Sequence, residues 1–126
     1  MDDFISGDLR ITVADAGEPS GDATVRRYVW AGRSNDRQPG KLLAPYFSRV
    51  LADAQEHKAT IEMHFERLEH FNSSTITAFI QLIQDARQKA VPLVFVYNQT
   101  FKWQRLSFDA LRVFVKGDRL LDLKAV

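Results

Sequence analysis

Ala59-Thr60-Ile61-Glu62-Met63-His64-Phe65-Glu66 alternates apolar and polar residues without a break, and beyond Phe71-Asn72-Ser73-Ser74-Thr75-Ile76 the period changes. The alternation places Ala59, Ile61, Met63 and Phe65 on one face of a strand and Thr60, Glu62, His64 and Glu66 on the other. One sheet face is therefore expected to be covered and the other wet. Leu68 and Phe71 continue the apolar contribution. From Ile76 the spacing becomes i, i+3, i+4, i+7 through Phe79, Ile80 and Ile83, widened by Ala78, Leu82 and Ala86. This predicts a helix from about Thr75 to Lys89, with Thr77, Gln81, Gln84, Asp85 and Gln88 on its wetter side. Ser73 or Ser74 is its predicted N-cap.

Toward the C-terminus, Pro92-Leu93-Val94-Phe95-Val96-Tyr97 reads as a buried strand. Phe101 to Phe114 reads as a helix with Leu106, Phe108, Leu111, Val113 and Phe114 on its apolar side. Lys116-Gly117-Asp118 is a turn, and Leu120, Leu121 and Leu123 mark a short final strand. Toward the N-terminus, Leu42, Leu43, Phe47, Val50, Leu51 and Ala54 predict a helix from about Lys41 to Glu56, with Pro45 near its first turn. Gly32 to Gly40 is a predicted loop. A strand is expected from about Thr24 to Ala31, a turn over Gly17-Glu18-Pro19-Ser20-Gly21-Asp22, and another strand at Leu9, Ile11 and Val13. The order is ββαβαβαβ in one domain spanning residues 1–126. The first two strands form an antiparallel hairpin, and strand–helix–strand units demand parallel pairing through right-handed crossovers. The expected fold is α/β, a mixed β-sheet with helices mainly on one face.

The 126 residues suffice for one core. Seventeen Lys and Arg against 16 Asp and Glu leave a formal charge of +1, which is no electrostatic footprint for nucleic acid or an anionic membrane. The absence of cysteine excludes disulfides, thiolate zinc sites and a cysteine nucleophile. Met1-Asp2-Asp3-Phe4 is acidic, without the basic region and apolar run of a secretion signal, and no apolar stretch reaches membrane-spanning length. The expected location is the cytoplasm, with neither nucleic acid nor membrane as a partner.

Catalytic chemistry finds no support. No Gly-x-Gly-x-x-Gly or Walker-type loop occurs, and no Ser-His-Asp arrangement can be recognised from linear spacing. Glu62, His64 and Glu66 point the same way along one strand, which admits either a metal site or a solvated face; side chains two apart diverge, so no metal and no cofactor is expected. His57 is the remaining histidine besides His70, and His70 is expected in an exposed turn. Phe101-Lys102-Trp103-Gln104-Arg105 mixes aromatics with cations and admits either a partner patch or packing beneath its helix. Arg26, Arg27 and Arg33 are expected as solvated charges.

The segment from Ile61 to Ala86, with Leu68-Glu69-His70-Phe71-Asn72-Ser73-Ser74-Thr75-Ile76 at its centre, resembles a STAS domain, the fold of bacterial anti-sigma-factor antagonists. It is more similar still to the SiaC-like branch of regulatory phosphoproteins, which carries an Asn-(Thr/Ser)-Ser pattern after such a strand. The element order agrees from about Val25 to Leu123. The resemblance implies a phosphorylation-responsive adaptor that binds a serine/threonine kinase of anti-sigma type and a phosphatase when unphosphorylated, with no catalysis of its own. Ser74 aligns with the phosphorylated serine of the antagonists and Ser73 with the phosphorylated threonine of the SiaC-like branch. Asn72, Ser73, Ser74, Thr75 and Thr77 form the implied partner-contact set. Asn72 stands where many members have Asp, and Thr75 where many have Gly. A helix N-terminus suits a phosphate, because its unpaired N–H groups and partial positive charge receive it. The same Ser-Ser pair is equally read as a plain N-cap, and the module as a scaffold that is never phosphorylated.

Overall fold

Phe71 ends the longest strand of the sheet, and the chain turns there into the helix that covers it. The computed structural model describes residues 3–14 and 24–126. Its elements are β1 (Phe4–Ser6), β2 (Leu9–Ala14), β3 (Thr24–Ser34), α1 (Pro39–His57), β4 (Ala59–Phe71), α2 (Ser73–Gln88), β5 (Leu93–Tyr97), α3 (Lys102–Ala110), a 3-10 turn (Leu111–Phe114) and β6 (Leu121–Ala125). The six strands lie in sequence order across one sheet. β1, β2 and β3 pair antiparallel, and β3 through β6 pair parallel. This is the expected α/β mixed sheet, with one short strand added ahead of the predicted first one. The predicted turn at Gly17–Asp22 lies outside the described residues.

All three helices cover the same face. Phe65 of β4 sits at the centre of the aromatic core, 5.2 Å from Trp30 of β3, 5.1 Å from Phe79 of α2 and 4.9 Å from Phe108 of α3, ring to ring. Phe47 of α1 reaches Trp30 at 6.0 Å. Rings tilted at such separations add to the apolar area they bury. The alternation read in β4 holds: Ala59, Ile61, Met63 and Phe65 are buried, and Thr60, Glu62, His64 and Glu66 are half-exposed on the open face.

Three local expectations change. Gly32 to Gly40 is not one loop: β3 continues to Ser34, opposite Phe71 of β4, and α1 already begins at Pro39. Proline suits a first helical position because its missing N–H has no partner there anyway. Pro45 then falls in the second turn, inside the helix. Gly32 has φ +86°, and a Cβ there would lie 1.9 Å from the Asp8 carbonyl oxygen, so the chain can bend at this point only without a side chain. The predicted helix Phe101–Phe114 splits into α3 and the 3-10 turn; Leu106 of α3 is 57 % and Val113 of the turn 73 % exposed, so neither belongs to the apolar side, and Phe108 and Leu111 carry the packing.

Gln104 replaces them inside, fully buried. β4 outruns β5, whose pairing with it stops at His64 and Val96. The carbonyls of Phe65 and Leu68 are met instead by the Gln104 amide, at 2.6 and 3.1 Å, while its oxygen accepts the Asn98 N–H at 2.8 Å. Buried backbone groups need such partners. Among the described residues no helix is long and apolar enough to cross a membrane.

Candidate functional site

Phe71 is held by Trp103, Phe79 and Phe108 at 5.2, 5.4 and 5.9 Å. This anchors the point where β4 hands over to α2. Asn72, in extended geometry at φ −87° and ψ 173°, is the N-cap. Its side-chain oxygen accepts the Thr75 N–H at 2.9 Å and the Thr75 hydroxyl at 2.8 Å. The expected cap at Ser73 or Ser74 is thus corrected: those serines are the first two helical residues, and Asn72 occupies the capping position.

Asn72 also ties α2 to the connection ahead of α1. Its amide nitrogen donates to the Asp36 carbonyl at 2.7 Å, and its backbone N–H donates to the Ser34 carbonyl at 3.0 Å. An aspartate could accept from Thr75 but could not donate to Asp36. Asparagine at this position therefore makes a bond that aspartate could not.

Thr75 is fully buried, and its hydroxyl lies against Ser34 and Asn72. It is corrected as a member of the partner-contact set, since it presents no surface. Its bulk fills the space behind the turn and leaves the turn's outer side open. Ser73, Ser74 and Thr77 are exposed and Asn72 is half-buried. Neither the Ser73 nor the Ser74 hydroxyl has a hydrogen-bond partner among the described residues.

Ser74 and Thr77 line a groove of about 590 Å³ between α1 and α2. Positions 74, 77, 78, 81 and 85 recur at helical spacing, which turns one stripe of α2 toward α1. Arg37 and Lys41 line the same groove at its α1 end. Ser73 does not line it. Neither cation was a sequence candidate: Arg37 falls in the segment read as a loop, and Lys41 opens the predicted helix without a feature that singles it out.

The remaining candidates fall into place on other surfaces. His64 and its two glutamates meet rather than diverge: Nε2 lies 2.5 Å from Glu62 and Nδ1 3.0 Å from Glu66. The carboxylates sit at opposite nitrogens of the ring, so no single point serves all three. Among the described residues no group of three or more acidic or histidine side chains is placed to hold a metal ion. Arg26 pairs with Asp53 at 3.1 Å and Arg27 with Glu62 at 3.3 Å, which corrects their reading as merely solvated; Arg33 is exposed. His57 closes α1 with Nδ1 2.9 Å from the Asp53 carbonyl. His70 is exposed near the end of β4, in strand rather than turn, 6.5 Å from the Trp103 ring. Trp103 packs on Phe71, while Phe101, Lys102 and Arg105 stay exposed.

Tyr28, buried beside α1, has no hydrogen-bond partner for its hydroxyl among the described residues. Burial, and secondarily the Asp53 carboxylate, push its pKa up to about 12, against a smaller opposing effect of Arg26.

No protein-family model matches the chain, and no curated protein matches its sequence.

Proposed function

We propose that the chain is a STAS-type regulatory adaptor of a bacterial, cytoplasmic partner-switching pathway, close to the SiaC-like branch and without catalysis of its own. Unphosphorylated, it binds a serine/threonine kinase of anti-sigma type and a phosphatase; a phosphate on Ser73 or Ser74 releases it. The observation that carries this reading is the division of labour at the start of α2. Asn72 caps the helix and Thr75 anchors it, so the two serines between them have exposed hydroxyls with no structural task. A phosphate there adds about −1.5 to −2 charges to a contact surface while the helix N-terminus tolerates it. Binding changes and the fold does not.

The test is phosphosite mapping on protein isolated from its native cells, together with binding of Ser73→Glu and Ser74→Glu to the partners that wild type recovers. A phosphate on one of the two serines is expected, with at least about a tenfold loss of affinity in the matching variant, equivalent to about 1.4 kcal/mol. Two unmodified serines, with both variants keeping every partner, overturn the reading. They would favour the second one, a STAS-like scaffold that is never phosphorylated, which the open groove between α1 and α2 supports on its own.

A further inference from the structure

We propose that Ser74, and not Ser73, is the hydroxyl built to carry the phosphate, and that Arg37 and Lys41 across the α1–α2 groove form the receptor for it. The inference rests on the phosphorylation reading above and assigns its site. Three observations bear on it. Ser74 lines the groove together with Arg37 and Lys41, whereas Ser73, rotated by about 100° on a helix of 3.6 residues per turn, does not. Neither Arg37 nor Lys41 is paired with a carboxylate among the described residues, so the charge of each is available to an anion in the groove. The segment bearing Arg37 is fixed from both sides: the Asn72 amide holds the Asp36 carbonyl at 2.7 Å, and the Asp36 carboxylate accepts the Gln38 N–H at 2.8 Å. The cations are thus carried by backbone that is already tied to the first turn of α2.

The charges around the groove favour this end. Asp85 lies eleven positions along α2, about 16 Å from Ser74 at 1.5 Å per residue, where it accepts from Gln81 at 2.9 Å. Asp36 is the opposing carboxylate at the near end. A guanidinium and an ammonium receive phosphate through charge-assisted hydrogen bonds. A phosphate of about −1.5 to −2 charges cancels the two positive charges almost fully. Counting Asp36, the groove mouth then passes from about +1 to between about −0.5 and −1, which turns a modification of one hydroxyl into a reversal of charge on the α1–α2 surface.

The experiment installs phosphoserine at position 73 or 74 of the full chain by genetic encoding and follows each phosphate by phosphorus NMR through its second ionisation. With the receptor in place, the phosphate at 74 titrates about one unit below that at 73, and Arg37→Ala/Lys41→Ala removes the difference. Circular dichroism verifies that the double variant, altered only at exposed positions, stays folded. Equal titration of the two phosphates, or no response at 74 to the double variant, overturns the assignment. Phosphosite mapping on native protein is a separate readout. An unmodified native chain, with both glutamate variants keeping every partner, defeats the adaptor reading, whereas a failed titration defeats the Ser74 assignment with its receptor and leaves that reading standing.

Discussion

The side-chain oxygens of Ser34 and Thr75 lie 2.7 Å apart with neither residue exposed, joining the last position of β3 to the first turn of α2 across 41 residues of sequence. The Thr75 hydroxyl donates onward to Asn72, so one short chain of bonds connects the strand end, the helix and its cap. Thr75→Val keeps the shape and strands the Ser34 hydroxyl and one acceptor site of Asn72. Leaving buried polar groups unsatisfied is expected to cost about 1–3 kcal/mol. Paired with Ser34→Ala, the loss should shrink, because both partners are then apolar. Urea denaturation of the two variants checks this, and an unchanged midpoint for Thr75→Val refutes it.

Asn72→Ala removes a cap and the link to Asp36 together, so a loss of about 1–2 kcal/mol is expected. Ser73→Ala and Ser74→Ala should each stay within about 0.5 kcal/mol of wild type, as exposed positions without partners do. Asn72→Asp should fall between, since it retains the acceptor for Thr75 and loses the donor to Asp36. Thermal denaturation of the four variants reads the ranking. A serine variant as damaging as Asn72→Ala would return the cap to that serine.

Tyr28 makes a prediction about alkaline pH. An unfolded chain releases a tyrosine proton near pH 10, whereas the folded chain holds the Tyr28 proton up to about 12. Between those values the unfolded state binds fewer protons, so stability falls as pH rises, starting near the lower value and flattening beyond the upper one. Tyr28→Phe removes this contribution and also removes a buried hydroxyl without a partner. The variant should therefore match or exceed wild type at about pH 8 and gain on it by about pH 11, read as the difference in urea midpoint. A difference that stays constant across that interval contradicts the account.

The core of the fold is legible because β4 and α2 each bury a face of clean periodicity, so Ile61, Met63, Phe65, Phe79 and Ile83 announce their own environment. What escapes the reading depends on tertiary partners. Asparagine and serine rank alike as caps, and it is the Asn72 bonds to Thr75 and to Asp36, 36 residues away, that assign the position. Ser34 looks like a loop residue until Phe71 pairs opposite it. That misplacement also hides Arg37, and both it and Lys41 gain meaning only once α1 is seen to face α2 across the groove. β1 is three residues long, too short for alternation to speak. Val113 misleads because the helix tightens into a 3-10 turn at Leu111, after which a count in steps of 3.6 points to the wrong side, whereas Leu106 lies before that turn and faces solvent within α3. Gln104 could not be found as a core residue from its type; it is inside because β4 leaves two carbonyls behind β5.

The two tryptophans sit in unlike surroundings. Trp30 is sealed in the core with its indole N–H on the Met63 sulfur at 3.1 Å, while Trp103 is half-exposed and leans on Phe71, the residue just before the cap. The chain therefore carries two intrinsic fluorophores of different colour: a blue-emitting one that reports on the integrity of the interior, and a redder one stationed beside the start of α2. Events at that helix end can be watched on the unlabelled protein as a change in the second signal against the constancy of the first.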